Sequence, residues 1–196
     1  VDSVALLKIN KLTKEFGGLK AVANFNIEIN DGELIGLIGP NGAGKTTAFN
    51  LMTGVYEPTS GEMLFDGKSL VGLKPYEVTQ RGIARTFQNI RLFSDLSVLD
   101  NVKIAYHFHV KYGLWESVLR VGRYYSEEDM IEQKAMECLK MFKLDDRRDE
   151  IAKNLPYGEQ RRLEIARALA AQPKLLLLDE PAAGMNPQET HELMEM

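Results

Sequence analysis

The chain has 196 residues, a formal net charge of −4 and a single cysteine, and 44% of its residues are hydrophobic. The acidic balance argues against a broad nucleic-acid-binding surface, and Cys138 cannot form an internal disulfide, which suits a reducing compartment. No apolar run approaches the roughly 18 residues that a membrane-spanning helix needs, and residues 1–10 lack the pattern of a signal peptide.

Two antiparallel strands are predicted near the start of the chain, at residues 6–10 and 24–29. Asp31 and Gly32 then form a turn typical of a hairpin, which leads into a short apolar strand at residues 33–38. Phe16 stands between the first two strands. It is either a core residue or a ring that stacks on a nucleotide base.

A glycine-rich loop follows the third strand and precedes a helix. Its residues match the phosphate-binding pattern G-x-x-x-x-G-K-[ST]: Gly39, Pro40, Asn41, Gly42, Ala43, Gly44, Lys45 and Thr46. Backbone N–H groups of such a loop, with the positive end of the helix and with Thr47, are expected to bind phosphate. Lys45, within a cage of backbone N–H groups, would reach the β- and γ-phosphates, and the Thr46 hydroxyl would ligate Mg²⁺.

Short elements alternate after this helix, which is predicted to end at Gly54. The pattern predicts a strand at residues 62–65 with an Asp66-Gly67 turn, a helix at residues 75–81 and a strand at residues 83–87. Gln88 follows this last strand. Its amide is either a sensor of Mg²⁺ and the attacking water or an ordinary loop side chain.

Residues 95–170 are predicted to be an inserted helical part. Helices are capped by Ser97 and by Ser126, and the second helix presents an apolar face of Ile131, Ala135, Cys138 or Leu139, and Phe142. The aromatic-rich residues 112–125 either pack within the protein or contact a membrane surface or partner. We assign residues 1–94 and 171–196 to an α/β core.

A buried parallel strand is predicted at residues 174–178, and it ends at Asp179 and Glu180. Such a strand would deliver Asp179 beside the Mg²⁺ held by Thr46. Glu180 lies where a base could polarise the water that attacks the γ-phosphate.

The segment 155–160, Leu-Pro-Tyr-Gly-Glu-Gln, is predicted to open a helix after Gly158. With the phosphate loop, Gln88 and the Asp179-Glu180 pair, it resembles the ATP-binding-cassette (ABC) ATPases along the whole chain. The resemblance implies an α/β fold, a P-loop NTPase core with an antiparallel β subdomain and an inserted α-helical subdomain. It implies ATP and Mg²⁺ as cofactors, and it implies that Phe16 stacks on the base. Metal ligation is implied for Thr46, Gln88 and Asp179, and catalysis for Glu180 and Gln88.

The resemblance also implies a head-to-tail dimer with a second ATPase subunit, identical or different. In it, the signature residues Tyr157, Gly158 and Glu159 would cover the γ-phosphate held by the other subunit. Pro156-Tyr157-Gly158 stands where the family has Ser-Gly-Gly, and Asn186 where it has Asp. These variants resemble the ATPase of branched-chain amino-acid importers. The resemblance implies that the partners are membrane permease subunits and, indirectly, a solute-binding protein, and it implies no nucleic acid. It also implies a peripheral location on the cytoplasmic side of the inner membrane.

Three alternatives stay open. A soluble ABC-type ATPase would act on the ribosome or DNA, and a nucleotide-dependent scaffold would bind without turnover. A GTPase switch would use residues 10–13, Asn-Lys-Leu-Thr, as a guanine reader, although the final carboxylate of that motif is missing. The histidines, including His191, show no metal-binding pattern. Because the chain stops at Met196, before the family's switch histidine, we expect a C-terminally truncated cassette.

Overall fold

The computed structural model describes residues 5–88, 90–106 and 124–195. The chain divides into two compact units between Ile83 and Ala84. Within the described ranges, no helix combines the length and hydrophobicity needed to cross a bilayer. Residues 112–123 of the aromatic stretch, with His107 and His109, lie outside the described residues.

An antiparallel sheet of four strands, in the order β2-β1-β3-β4, organises the first unit. Strands β1 (Leu7–Phe16) and β2 (Leu19–Ile29) form a hairpin, β3 (Ser60–Phe65) pairs with the other edge of β1, and β4 (Lys68–Ser69) pairs with β3. The predicted antiparallel strands are therefore confirmed, and they are longer than predicted. Alternate side chains of the central strands are buried: Leu7, Ile9, Met63 and Phe65.

Glycine explains why the first hairpin extends to Phe16. Gly17 and Gly18 have φ angles of 51° and 90°, and a two-residue turn with positive φ at both positions matches the twist of paired strands. Phe16 consequently pairs with Leu19 across the turn. Asp66 and Gly67, with φ angles of 50° and 71°, form the corresponding turn between β3 and β4, as predicted.

The predicted strand at residues 33–38 is wrong, because this segment lies outside every strand in the described part of the chain. Leu34 and Ile38 are 99% and 94% exposed. An apolar run becomes a strand only when a neighbouring strand satisfies its backbone N–H and C=O groups. The preceding turn closes locally instead: the Glu33 carboxylate accepts a hydrogen bond from the Asn30 N–H at 2.8 Å. Hydrogen bonds from the Asn30 side chain and backbone lower the pKa of Glu33.

The first unit also holds two short helices, α1 (Lys45–Met52) and α2 (Pro75–Gln80). Gly54, with a φ of 72°, follows the end of α1, and Gly82, with a φ of 101°, follows α2. Both ends agree with the prediction, since glycine takes the left-handed conformation that closes a helix without steric cost.

Strand β5 (Ile83–Arg85) begins at the last residue of the first unit and continues into the second, where β6 (Leu175–Leu177) lies. The two strands form a two-stranded sheet. The helices of the second unit are α3 (Val98–Tyr106), α4 (Tyr124–Met141), α5 (Tyr157–Ala170) and α6 (Pro187–Met194). The first three share an apolar core that includes Val98, Val102, Ala135, Leu139, Leu163 and Ala166. The predicted helices are confirmed, as is the buried apolar face of α4.

Several details of this unit differ from the predictions. Strand β5 ends at Arg85, two residues before the predicted end at Phe87. Helix α4 begins at Tyr124, ahead of the predicted cap at Ser126, and neither Tyr124 nor Tyr125 is a residue that breaks a helix. Strand β6 is shorter than predicted and only Leu177 is fully buried, while Leu178 is exposed. Ser97 caps α3 as predicted, with the Asp100 N–H donating to Ser97 Oγ at 3.0 Å.

Candidate functional site

The glycine loop is held in a conformation that only glycine adopts easily. Gly42 and Gly44 have φ angles of 83° and 85°, in the left-handed region that a Cβ disfavours. A Cβ on Gly44 would overlap the carbonyl oxygen of Ala21 in β2. The loop backbone therefore passes so close to the sheet that no side chain fits at this position.

The same loop leaves the start of α1 open to an anion. Gly44 is the N-cap residue of α1, and neither a side-chain cap nor an acidic residue is present in its first turn. The first backbone N–H groups of a helix have no intrahelical acceptor. Phosphate oxygens are the ligands that such a glycine-flanked helix terminus suits, so the loop fits the group that its sequence predicts.

Lys45 Nζ donates to the carbonyl oxygens of Gly39, at 2.7 Å, and Pro40, at 3.0 Å. The predicted cage of N–H groups around the ammonium is therefore wrong. An ammonium only donates hydrogen bonds, so the loop carbonyls are its partners. They hold the charge at the mouth of the loop.

Phe16 is not a core residue, because 42% of it is exposed at the end of the first hairpin. Its ring meets the edge of Tyr56, with centroids 5.2 Å apart, and Lys14 Nζ lies 5.1 Å from its centroid. Of the two predicted roles, base stacking is the one that this exposure allows.

In the second unit, Asp179 follows β6 and forms a buried ion pair that the sequence did not predict. Arg85 Nη2 lies 2.8 Å from Asp179 Oδ2, and the two side chains are 5% and 8% exposed. The Asp179 N–H also donates to Thr86 Oγ1 at 3.3 Å. The sequence signal for Arg85 is its position two residues after Ile83, on the same face of β5.

The structure brings together the two predicted catalytic side chains of this unit. Gln88 Nε2 donates to Glu180 Oε2 at 3.2 Å, and both residues are exposed. Glu180 has a φ of 49°, a left-handed conformation that costs a residue with a Cβ roughly 1–2 kcal/mol. The Ala183 N–H donates to the Glu180 carbonyl at 3.0 Å in a local turn, and contacts from elsewhere in the unit also hold the residue there.

Those contacts come from Arg161, which sequence reasoning missed together with its partner Glu164. Arg161 is fully buried in α5 and donates to the carbonyl oxygens of Asp179 and Glu180. The i,i+3 spacing of Arg161 and Glu164 predicts an ion pair on a helix. It does not predict that the pair is buried.

The signature residues pack against residues 183–189 of their own chain. Helix α5 begins at Tyr157, with Pro156 as its N-cap, so the predicted start after Gly158 is wrong. Proline lacks an N–H and has a fixed φ, and it therefore suits the edge of a helix. Tyr157 Oη donates to the Ala183 carbonyl at 3.1 Å, and a Cβ on Gly158 would overlap the Glu189 carboxylate. Glu159 lies 3.8 Å from Arg162.

The chain matches the family model described as "ABC transporter" at residues 22–183. It is 45% identical, over 99% of its length and 76% of the relative's, to the high-affinity branched-chain amino acid transport ATP-binding protein LivG of Escherichia coli K12. The crystal structure of the ADP conformation of MJ1267, an ATP-binding cassette of an ABC transporter, has 32% identity and a TM-score of 0.81, covering 98% of this chain and 75% of that one. A dimeric post-hydrolysis structure of the cassette MJ0796, bound to ADP and Pi, has 29% identity and a TM-score of 0.79, covering 96% and 80%.

Proposed function

This chain belongs to the ABC transporter family, and we propose that it is the ATP-hydrolysing subunit of an importer for branched-chain amino acids. The predicted family is confirmed by the match over residues 22–183 and by the 45% identity to LivG. ATP binding and hydrolysis are the shared activity of the family's transporter subunits. The solute class is carried over from the name of LivG, and it is a proposal for this chain.

The observation that carries the ATP-binding proposal is the glycine loop at the uncapped start of α1. Its left-handed Gly42 and Gly44 and the open helix terminus suit an anion with several oxygens. Lys45 would exchange its contacts with Gly39 and Pro40 for phosphate oxygens and act as a point charge. We further propose base stacking for Phe16 and phosphate contacts for Asn41, Ala43, Thr46 and Thr47.

Mg²⁺ fits the donor chemistry that we propose for it. In the described residues, no cluster of three or more His, Cys, Asp or Glu side chains is arranged to hold a metal. The proposed ligands are instead the Thr46 hydroxyl, the Asp179 carboxylate and the Gln88 amide oxygen, and Mg²⁺ prefers such hard oxygen ligands. Bound there, the ion would neutralise phosphate charge. Arg85 Nη2 lies 2.8 Å from Asp179 Oδ2, so Asp179 would have to hold the ion while it keeps this ion pair.

Glu180 is our candidate for the base in hydrolysis. Glu180 is exposed, so water can reach its carboxylate. Its backbone carbonyl accepts a hydrogen bond from Arg161, which defines the position of the residue. Gln88 donates to the Glu180 carboxylate. We propose that Gln88 orients Glu180 and leaves its own amide oxygen available to the metal or the attacking water.

We also propose that two such subunits work as a head-to-tail dimer with membrane permease subunits and, indirectly, a solute-binding protein. Cassettes of the family act as dimers in transporters, and the MJ0796 dimer is one solved example. The partner would be a second copy or a related cassette. The proposed location is the cytoplasmic face of the inner membrane.

Co-purification tests this function most directly. The full-length protein is expressed with its permease and reconstituted in vesicles, and ATP hydrolysis is measured with and without leucine and the binding protein. We expect leucine to stimulate hydrolysis and a Lys45→Ala complex to show no stimulation. A rate of ATP hydrolysis that no branched-chain amino acid changes would refute the proposed solute class. Preference for GTP over ATP, or salt-sensitive retention on nucleic acid in place of permease binding, would favour the alternatives.

A further inference from the structure

One buried arginine contacts both segments that carry the candidate catalytic side chains. Arg161 lies in the second turn of α5 and is fully buried. A guanidinium has five N–H donors, and here all of them are used. One donates to Glu164 Oε2 at 2.6 Å. The other acceptors are backbone carbonyl oxygens: Phe87 at 2.5 Å, Asp179 at 2.7 Å, Glu180 at 2.9 Å and Pro181 at 3.1 Å.

Glu164, one turn further along α5, completes this arrangement. Its Oε1 accepts hydrogen bonds from the N–H groups of Arg91, at 3.2 Å, and Phe87, at 3.4 Å. The chain around Gln88 is thus held through both N–H and carbonyl groups. A buried guanidinium and a buried carboxylate also neutralise each other, which their location requires.

We propose that Arg161, held by Glu164, is a positioning residue for hydrolysis. This inference rests on the proposed ATPase function. The side chain fixes the backbone on either side of a contact between catalytic candidates, and it thereby sets the 3.2 Å approach of Gln88 Nε2 to Glu180 Oε2. It also binds the carbonyl of Glu180, whose left-handed backbone needs an external constraint.

Arginine suits this task and lysine does not. The planar fork of the guanidinium reaches carbonyls from two separate segments at once, whereas an ammonium offers three donors from a single atom. Arg161 also lies one helical turn after Gly158. The same side chain therefore connects the segment proposed to cover a second subunit's nucleotide with the base of its own subunit.

The first test compares Arg161→Lys with Arg162→Lys in the full-length protein. Arg161→Lys keeps the positive charge beside Glu164 but loses most carbonyl contacts, so we expect kcat to fall about 10- to 100-fold. The KM and Kd for ATP should change less than about two-fold, because the phosphate loop is untouched. Arg162 donates to the Phe142 carbonyl, at 3.3 Å, and lies 3.8 Å from Glu159, and neither contact involves the Gln88 or Glu180 segments. Lysine keeps the positive charge beside Glu159. The Arg162→Lys variant should keep the wild-type kcat.

The second test separates positioning from general support of the fold. If Arg161 acts through Glu180, then Arg161→Lys should lower the residual turnover of a Glu180→Gln variant by less than about three-fold. The same 10- to 100-fold loss in both backgrounds would overturn the proposal. Should Arg161→Lys fail to fold, the paired change Arg161→Met with Glu164→Leu removes both charges together and enters the same comparison.

The proposed ATPase function and the positioning role of Arg161 can be refuted separately. A wild-type protein that binds ATP but never hydrolyses it would refute the proposed function itself. A wild-type protein that hydrolyses ATP, with Arg161→Lys equal to Arg162→Lys in kcat, would refute only the role of Arg161.

Discussion

Replacing Gly158 with alanine tests why this position is small. Gly158 lies within α5, so its backbone accepts alanine, but a Cβ there would overlap one carboxylate oxygen of Glu189. The other oxygen of Glu189 accepts a hydrogen bond from the Asn186 N–H at 2.9 Å, in the capping box of α6. The glycine can thus be explained by packing in its own subunit or by the approach of a second subunit's nucleotide.

The structure gives the size of the packing effect. Gly158 is the second residue of α5, so the gain of about 0.8–1.0 kcal/mol that alanine has over glycine in a helix interior is an upper limit here. A displaced Glu189 forfeits a capping contact worth about 1 kcal/mol. These contributions nearly cancel, so Gly158→Ala should change the free energy of unfolding by less than about 1 kcal/mol. In a Glu189→Ala background the overlap is gone, and the same change should stabilise the fold by up to about 1 kcal/mol.

The assay uses the wild type, both single variants and the double variant. Urea unfolding gives the coupling energy, and ATPase activity is measured against protein concentration because the proposed site needs two subunits. If Gly158 faces a second subunit's phosphate, the double variant regains stability but not activity. Full recovery of ATPase activity in the double variant would refute the composite site at Gly158. Aspartate is a poorer probe, since it would also place a second carboxylate beside Glu189.

Three further predictions follow from single side chains. Lys45→Ala should abolish turnover and most ATP affinity while leaving the fold intact; tight MgATP binding in calorimetry would contradict its role. Glu180→Gln keeps the shape of the base but not its basicity, so hydrolysis should fall roughly 10²–10⁴-fold while ATP stays bound in a stable dimer; unchanged turnover in a phosphate-release assay would exclude the base role. Burial raises the pKa of the Cys138 thiol from 9.0 to about 11, so the folded state keeps a proton that the unfolded state loses. This stabilisation is complete below pH 9 and is lost as pH rises through 11, and the free energy of unfolding should fall by an amount on the order of 2–3 kcal/mol at most, relative to Cys138→Ala. Parallel pH curves for the two proteins in urea titrations would disprove this.

Local chemistry explains which parts of the fold could be predicted from the sequence. The turns at Asp66-Gly67 and Gly82 and the cap at Ser97 are decided by one or two residues, and they lie where predicted. The ABC cassette fold is also confirmed, by the TM-score of 0.81 to MJ1267. Motif order along the whole chain carried that prediction, and short-range periodicity alone could not have done so.

The failed and missed predictions depend on distant partners. Residues 33–38 have the composition of a strand, but strand formation needs a hydrogen-bonded neighbour that composition cannot supply. Arg85 and Asp179, 94 positions apart, form a buried pair that no local pattern relates. Arg161 similarly reads as an ordinary charge on a helix, because its five acceptors lie on segments far from it in sequence or on the next turn.

The positive φ of Glu180 links these long-range contacts to function. Among the residues that the structure describes, five others with a Cβ adopt the left-handed conformation, and each has a local reason in a β irregularity, a turn or the end of a helix: Lys11, Asn24, Asp66, Lys143 and Gln172. Glu180 opens a turn, since its carbonyl accepts a hydrogen bond from the Ala183 N–H at 3.0 Å, and the same carbonyl is also held by Arg161, 19 positions earlier in the chain. Left-handed residues with a Cβ persist only where the surrounding structure constrains them, and such sites cluster at functional positions. The residue that the motif order assigns to catalysis therefore has a strained backbone. This is an independent physical reason to test Glu180 and Arg161 together.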